Sequence, residues 1–132
     1  ATYAHIVFGE DMQVNRILRG VEPLLATSFS GKTGLSELPP HAGEDFRQWA
    51  ADLRIDFAAL RAYGQAAHQN TKDYLAGLSQ AELDREIDLS GFGLGSKSVS
   101  WCLGCVVVTH INNHLGELSC LKGLQGAKGY PF

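Results

Sequence analysis

Apolar residues recur at intervals of three and four along three long stretches of the chain, with polar or charged residues between them. The stretch from Val99 to Leu121 has the broadest stripe: Val99, Leu103, Val106, Val107, His110, Ile111, His114, Leu115, Leu118 and Leu121 share one face of an amphipathic helix. Glu117 is its only full charge, so it reads as a core helix, capped by Ser96 or Ser98 and stopped at Gly123 or Gly126. At the other end of the chain, Ile6, Val14, Ile17 and Leu18 supply the apolar positions of a helix from Ala1 to about Arg19. Glu10, Asp11, Arg16 and Arg19 are its solvated positions, and Gly20 is its stop. Between the two, Phe46, Trp49, Leu53, Phe57, Leu60, Ala67, Tyr74, Leu75 and Leu78 keep a period near 3.6 and predict a helix from Glu44 to about Leu78, bent or interrupted at Gly64.

The connections carry turn chemistry. Val21 to Ala26 predicts a short helical turn, and Thr27 to His41, rich in Ser, Gly and Pro, a loop long enough to be functional. Ser79-Gln80-Ala81-Glu82 has the form of a capping box and predicts a short helix through about Arg85. Ile87 to Leu89 reads as a brief extension, and Ser90 to Ser96 as a flexible turn into the last helix. The tail from Leu121 leaves through glycines and is expected to pack back on the bundle through Tyr130-Pro131-Phe132. The pattern as a whole is all-α and, at 132 residues, that of one domain, 1–132. A net charge of -3 without basic clusters gives no support for nucleic-acid binding. No apolar run reaches the length of a membrane span and no signal peptide or lipidation motif is visible, so a cytoplasmic protein is expected. The chain opens inside a predicted helix without a Met, and further sequence is expected before Ala1.

Candidate chemistry centres on His110 and His114. Residues four apart on a helix lie one above the other, so two imidazoles at this spacing can reach one metal ion. The zinc-peptidase helix uses the same pair, but Ile111 stands where its general-base Glu belongs, which argues against a peptidase. Cys102, Cys105 and Cys120, odd in number and confined to one helix, argue against a disulfide framework. Trp101-Cys102-Leu103-Gly104-Cys105 looks like the WCxxC of thioredoxin-type enzymes, but no strand or βαβ context is evident before it. Nor can Cys102 and His114 share a zinc ion, since twelve residues of helix span about 18 Å. Gly91, Gly93 and Gly95 lack the spacing and the lysine of a phosphate loop. Among the other histidines, His5 on an apolar face is more often a satisfied core residue than a ligand. His68 reads as a surface or packing residue and His41 as solvated.

Ala4-His5 followed by Glu10-Asp11, the segment His110-x-x-x-His114-Leu115-Gly116-Glu117, and the close Leu121-Lys122-Gly123-Leu124-Gln125-Gly126 with Gly129-Tyr130-Pro131-Phe132 resemble the DinB/YfiT-like superfamily. The resemblance runs over most of the chain and is most specific in the last thirty-odd residues. It implies a four-helix bundle holding a divalent metal through three histidines, here His5, His110 and His114. The three helices above then correspond to the second, third and fourth of the family, with the first missing from this chain, and an open bundle face would expose apolar residues.

Three neutral imidazoles leave a divalent ion with an open position, the arrangement of a catalytic site. Zinc is the default, with nickel, iron or manganese as alternatives. Glu117 and Asn113 are candidates for a hydrogen bond behind a ligand ring. Similar family members include transferases and an isomerase that use low-molecular-weight thiols of the mycothiol or bacillithiol type. The resemblance therefore implies a metal-dependent transferase or isomerase with a small-molecule electrophile and a thiol cosubstrate, and a homodimer as a possible assembly. The rivals are a non-catalytic metal-binding stress-response protein and a structural bundle without metal. Catalytic residues proper are not legible.

Overall fold

A computed structural model describes residues 1–40 and 45–130. The first predicted helix is present as α1, Thr2–Asp11, continued without a break by a π-helical segment, Met12–Arg19, and ended by Gly20 at φ 65°. Only glycine holds this left-handed geometry at little cost, which is why the helix stops there. A 3-10 turn, Leu24–Ala26, follows. Thr27 to Pro40 is otherwise irregular, apart from an isolated bridge between Leu35 and Ile55. His41, expected to be solvated, and Glu44, the expected start of the middle helix, lie outside the described residues.

The middle helix is two helices, and the interruption is not at Gly64. α2, Phe46–Asp52, ends at Leu53, and α3, Phe57–Ala76, starts anew behind Asp56. The Asp56 carboxylate accepts from the backbone N–H groups of Ala58 and Ala59, so this exposed residue is the N-cap of α3. Gly64 lies inside α3 where α1 comes closest. A Cβ there would stand 2.7 Å from the Tyr3 hydroxyl and 3.1 Å from Val7, so the glycine serves helix contact and not a bend.

α4, Gln80–Asp84, is the predicted short helix, with the Ser79 hydroxyl accepting from the Glu82 N–H. The wholly α-helical expectation needs one correction. Glu86–Asp88 (β1) and Ser96–Ser98 (β2) pair antiparallel, Ile87 opposite Lys97, and the glycine-rich turn is their connection. A strand therefore does precede the Trp101-Cys102 segment, but it belongs to a hairpin and not to a βαβ unit. The last helix starts behind Ser98, which accepts from the Trp101 N–H, and runs as α5 (Val99–Cys102), a π-helical segment (Leu103–Val108) and α6 (Thr109–Leu124). Gly126, at φ 76°, follows its end. The tail turns back on α6 at Gly129, where a Cβ would meet the Ser119 carbonyl oxygen at 2.6 Å. Pro131 and Phe132 lie outside the described residues.

Two apolar clusters hold these elements. Ala4 and Val7 of α1 pack with Trp49, Leu60, Tyr63 and Ala67 of α2 and α3. Val14 and Leu18 of the first π segment pack with Leu89, Cys102 and Val107. The expectation of a core helix from Val99 to Leu121 holds only for its first half. Beyond His114, Leu115 and Leu121 are each about half exposed and Leu124 is 80% exposed, because no described element covers that side. Among the described residues, no helix is long and apolar enough to cross a membrane.

Candidate metal centre

Asp11 fixes the helix that carries His5. Read from sequence as solvated, it is 1% exposed, and Glu10 beside it is also buried. A buried carboxylate persists only if donors surround it. Here the N–H groups of Leu24 and Leu25 donate at 2.9 Å each, and Asn15 Nδ2 and the Tyr63 hydroxyl at 2.7 Å each. This ties α1, the 3-10 turn and α3 together. Burial, and then the Asp11 carboxylate it donates to, push the Tyr63 hydroxyl far above the ordinary tyrosine range.

On that frame, His5 of α1 meets His110 and His114 of α6. The ring centroids form a near-equilateral triangle of 4.9, 4.9 and 4.7 Å, and one ligand nitrogen from each ring lies within 4.8 Å of the others. The Nε2 atoms of His5 and His110 are 3.0 Å apart. Metal–imidazole bonds of about 2.0–2.1 Å suit such a spacing after a small inward closure of the rings. Gly9, one turn after His5, makes the approach possible: a Cβ there would sit 2.6 Å from Cε1 of His110. A glycine four residues after a candidate ligand, inside a helix it weakens, is the signal by which the sequence could have revealed this contact.

The trio fits a divalent ion on two further grounds. First, the Nδ1 atoms of His5 and His110 are buried without a hydrogen-bond partner. Each of these rings is therefore held through one nitrogen only, leaving it free to turn toward a ligand. Second, burial, and then the neighbouring imidazoles, lower the pKa of His110 to about 4; burial, and then His114, lower that of His5. Both rings are thus neutral near pH 7, the form that ligates. Behind the third ring, Glu117 Oε2 accepts from His114 Nδ1 at 2.7 Å, leaving Nε2 for the trio. Asn113 is exposed and makes no hydrogen bond to His114 among the described contacts.

The remaining candidates stand apart. His68 is largely exposed, with Nδ1 3.5 Å from Glu10. Cys102 is buried, Cys105 and Cys120 are exposed, and none is bonded to another. Burial, and then Cys105, push the Cys102 thiol up, the reverse of a redox-active cysteine. Sequence reasoning took Phe46 and Trp49 for core-stripe residues; with His5 and His114, two of the three histidines, they border a cavity of about 370 Å³.

No curated protein and no solved structure gave a significant match to the chain. The model of the DinB superfamily matches residues 1–118, which takes in all three histidines and Glu117 and stops short of the Leu121–Phe132 close. With that match over most of its length, the chain belongs to the DinB superfamily.

Proposed function

We propose that this DinB protein binds a divalent metal through His5, His110 and His114 and acts as a transferase or isomerase using a low-molecular-weight thiol of the mycothiol or bacillithiol type. The observation that carries the metal part is the convergence of three imidazoles from two helices, with His5 and His110 105 residues apart in sequence and a ligand nitrogen of each ring within 4.8 Å of the others. Zinc is the first candidate ion, with nickel, iron and manganese behind it. When bound, such an ion lowers the pKa of a thiol or water and so supplies a nucleophile at neutral pH.

The chain's own groups do the rest. Glu117 holds the His114 ring in the tautomer whose Nε2 is free, and Gly9 leaves room for His110 to reach His5. Phe46 and Trp49 keep an apolar wall beside the reacting groups and exclude water from it. We read the fold as part of a four-helix bundle in which the exposed Leu115, Leu121 and Val108 give a further helix an apolar seat. A cytoplasmic location, a small electrophile as second substrate and a homodimer belong to the same proposal.

The test is conjugation of monobromobimane by mycothiol or bacillithiol, in which the sulfur–carbon bond forms and bromide leaves. Metal-loaded protein is expected to accelerate it with one of the two thiols, and His110→Ala is expected to lose the acceleration. Metal binding without acceleration for either thiol contradicts the enzymatic part and favours a non-catalytic metal protein.

A further inference from the structure

The cavity beside the trio is lopsided in its chemistry. One side is aromatic and the other carries the imidazoles. Phe46 meets His5 edge-on at 5.2 Å, and Trp49 meets Phe46 edge-on at 6.0 Å, so a continuous chain of rings leads from the indole to the histidines. The wall is preformed: Trp49 is only 8% exposed, and its Nε1 donates to the Glu37 carbonyl oxygen at 3.2 Å. No lysine or arginine stands among the described lining residues, and Glu117 is their carboxylate, placed on the histidine side. A charged group lodged against Phe46 and Trp49 would lose its hydration with nothing there to replace it. A volume of about 370 Å³ is at the small end of the range for small-molecule sites.

We propose that this cavity takes a compound built on one uncharged aromatic ring, seated against the wall that Phe46 and Trp49 form together, with a single polar substituent turned toward His5 and His114. The inference rests on the reading of the trio as the reactive centre, and it assigns the apolar pocket to the electrophile, leaving the hydrophilic thiol to approach from outside it. Edge-to-face contacts with the two walls favour a ring over an aliphatic group of equal size. Among the described lining residues the polar groups, those of His5, His114, Glu117 and Thr2, lie away from the Phe46–Trp49 wall, so the pocket also sets the orientation.

Trp49 reports occupancy directly once the chain's other tryptophan is removed by Trp101→Phe. In that variant, metal-free and metal-loaded, para-iodobenzyl alcohol, whose heavy atom quenches indole, is expected to quench the fluorescence saturably, and benzyl alcohol to reverse the quenching by competition. The analogue with a sulfonate para to its hydroxymethyl group is expected to compete at least about tenfold more weakly, because its charge would face the aromatic wall. Adding Ala50→Trp itself would confuse the signal, so the blocking variant is Ala50→Leu, at an exposed position of α2 that lines the cavity; it is expected to weaken binding by about tenfold with the helical content unchanged. Quenching that stays linear in concentration, equal competition by the sulfonate, or full binding in Ala50→Leu overturns the inference. Metal content of the same samples separates the two readings. Saturable ring binding by a protein that holds no metal removes the reactive centre and keeps the pocket, whereas metal without ring binding removes the pocket alone.

Discussion

Asp11, buried, and His5, half-buried, are polar residues of the same helix, under two turns apart, and the fold treats them oppositely. The Asp11 carboxylate receives four hydrogen bonds from three other parts of the chain. His5 and His110 share one contact and leave a buried nitrogen each without a partner. A fully satisfied polar group rigidifies and specifies a fold, whereas an under-satisfied one is left free to take another partner. The same helix therefore carries a structural node at its centre and a binding element near its start, and the first holds the second in place.

The comparison breaks most sharply at Asp11. Asp11→Ala strands the Tyr63 hydroxyl, the Asn15 amide and two partly buried N–H groups, and the metal-free protein is expected to lose about 3–5 kcal/mol in urea unfolding. A loss below about 1 kcal/mol would show that the node is not structural. Gly9→Ala comes next and acts on the other member of the pair. Its methyl group displaces the His110 ring, so metal affinity is expected to fall by about ten- to a hundredfold, as for other groups that orient a ligand. Retained affinity in a competition titration would show that the ring has room elsewhere.

Glu117→Gln tests the His114 side and is expected to weaken metal binding about tenfold, since a neutral amide still holds the ring but polarises it less. The smallest effect is on acid stability. His110 titrates near 4 when folded and near 6.5 when unfolded, so between these values the unfolded chain binds more protons. Stability of the metal-free protein is thus complete above pH 6.5 and falls as the pH drops from there toward 4. Thermal melts in chelator at pH 7 and pH 5 check the sign. His110→Gln, which cannot titrate, is expected to show the smaller drop, and an equal drop would contradict the assignment.

Much of this was legible in the sequence because periodicity reports which faces are apolar. The three helical stretches, the Ser79 cap, the Gly20 stop and the His110–His114 pair follow from spacing. What spacing does not report is the third dimension. Asp11 looked solvated because its donors, Leu24, Leu25 and Tyr63, come from other elements. The break between α2 and α3 was missed because the apolar period runs on through it, and a capping acid such as Asp56 reads like an interior one until the break before Phe57 is seen. Glu86–Asp88 and Ser96–Ser98 are too short, at three residues each, to show an alternation, so the hairpin was invisible. His5 joined the other two histidines only through the family resemblance; Gly9, one turn on, is the residue of the first helix that could have marked the contact. Leu115 and Leu121 continue the apolar stripe yet stand exposed, which shows that a stripe records what a helix face is made of and not what covers it.

The central claim is that His5, His110 and His114 hold one ion together. Elemental analysis of protein purified without chelator and then dialysed tests it most directly, with each of the three histidines replaced in turn by Ala. The account predicts about one divalent ion per chain in the parent protein and a loss of more than about a hundredfold in affinity in each variant. Full metal content in the His5→Ala protein would contradict it.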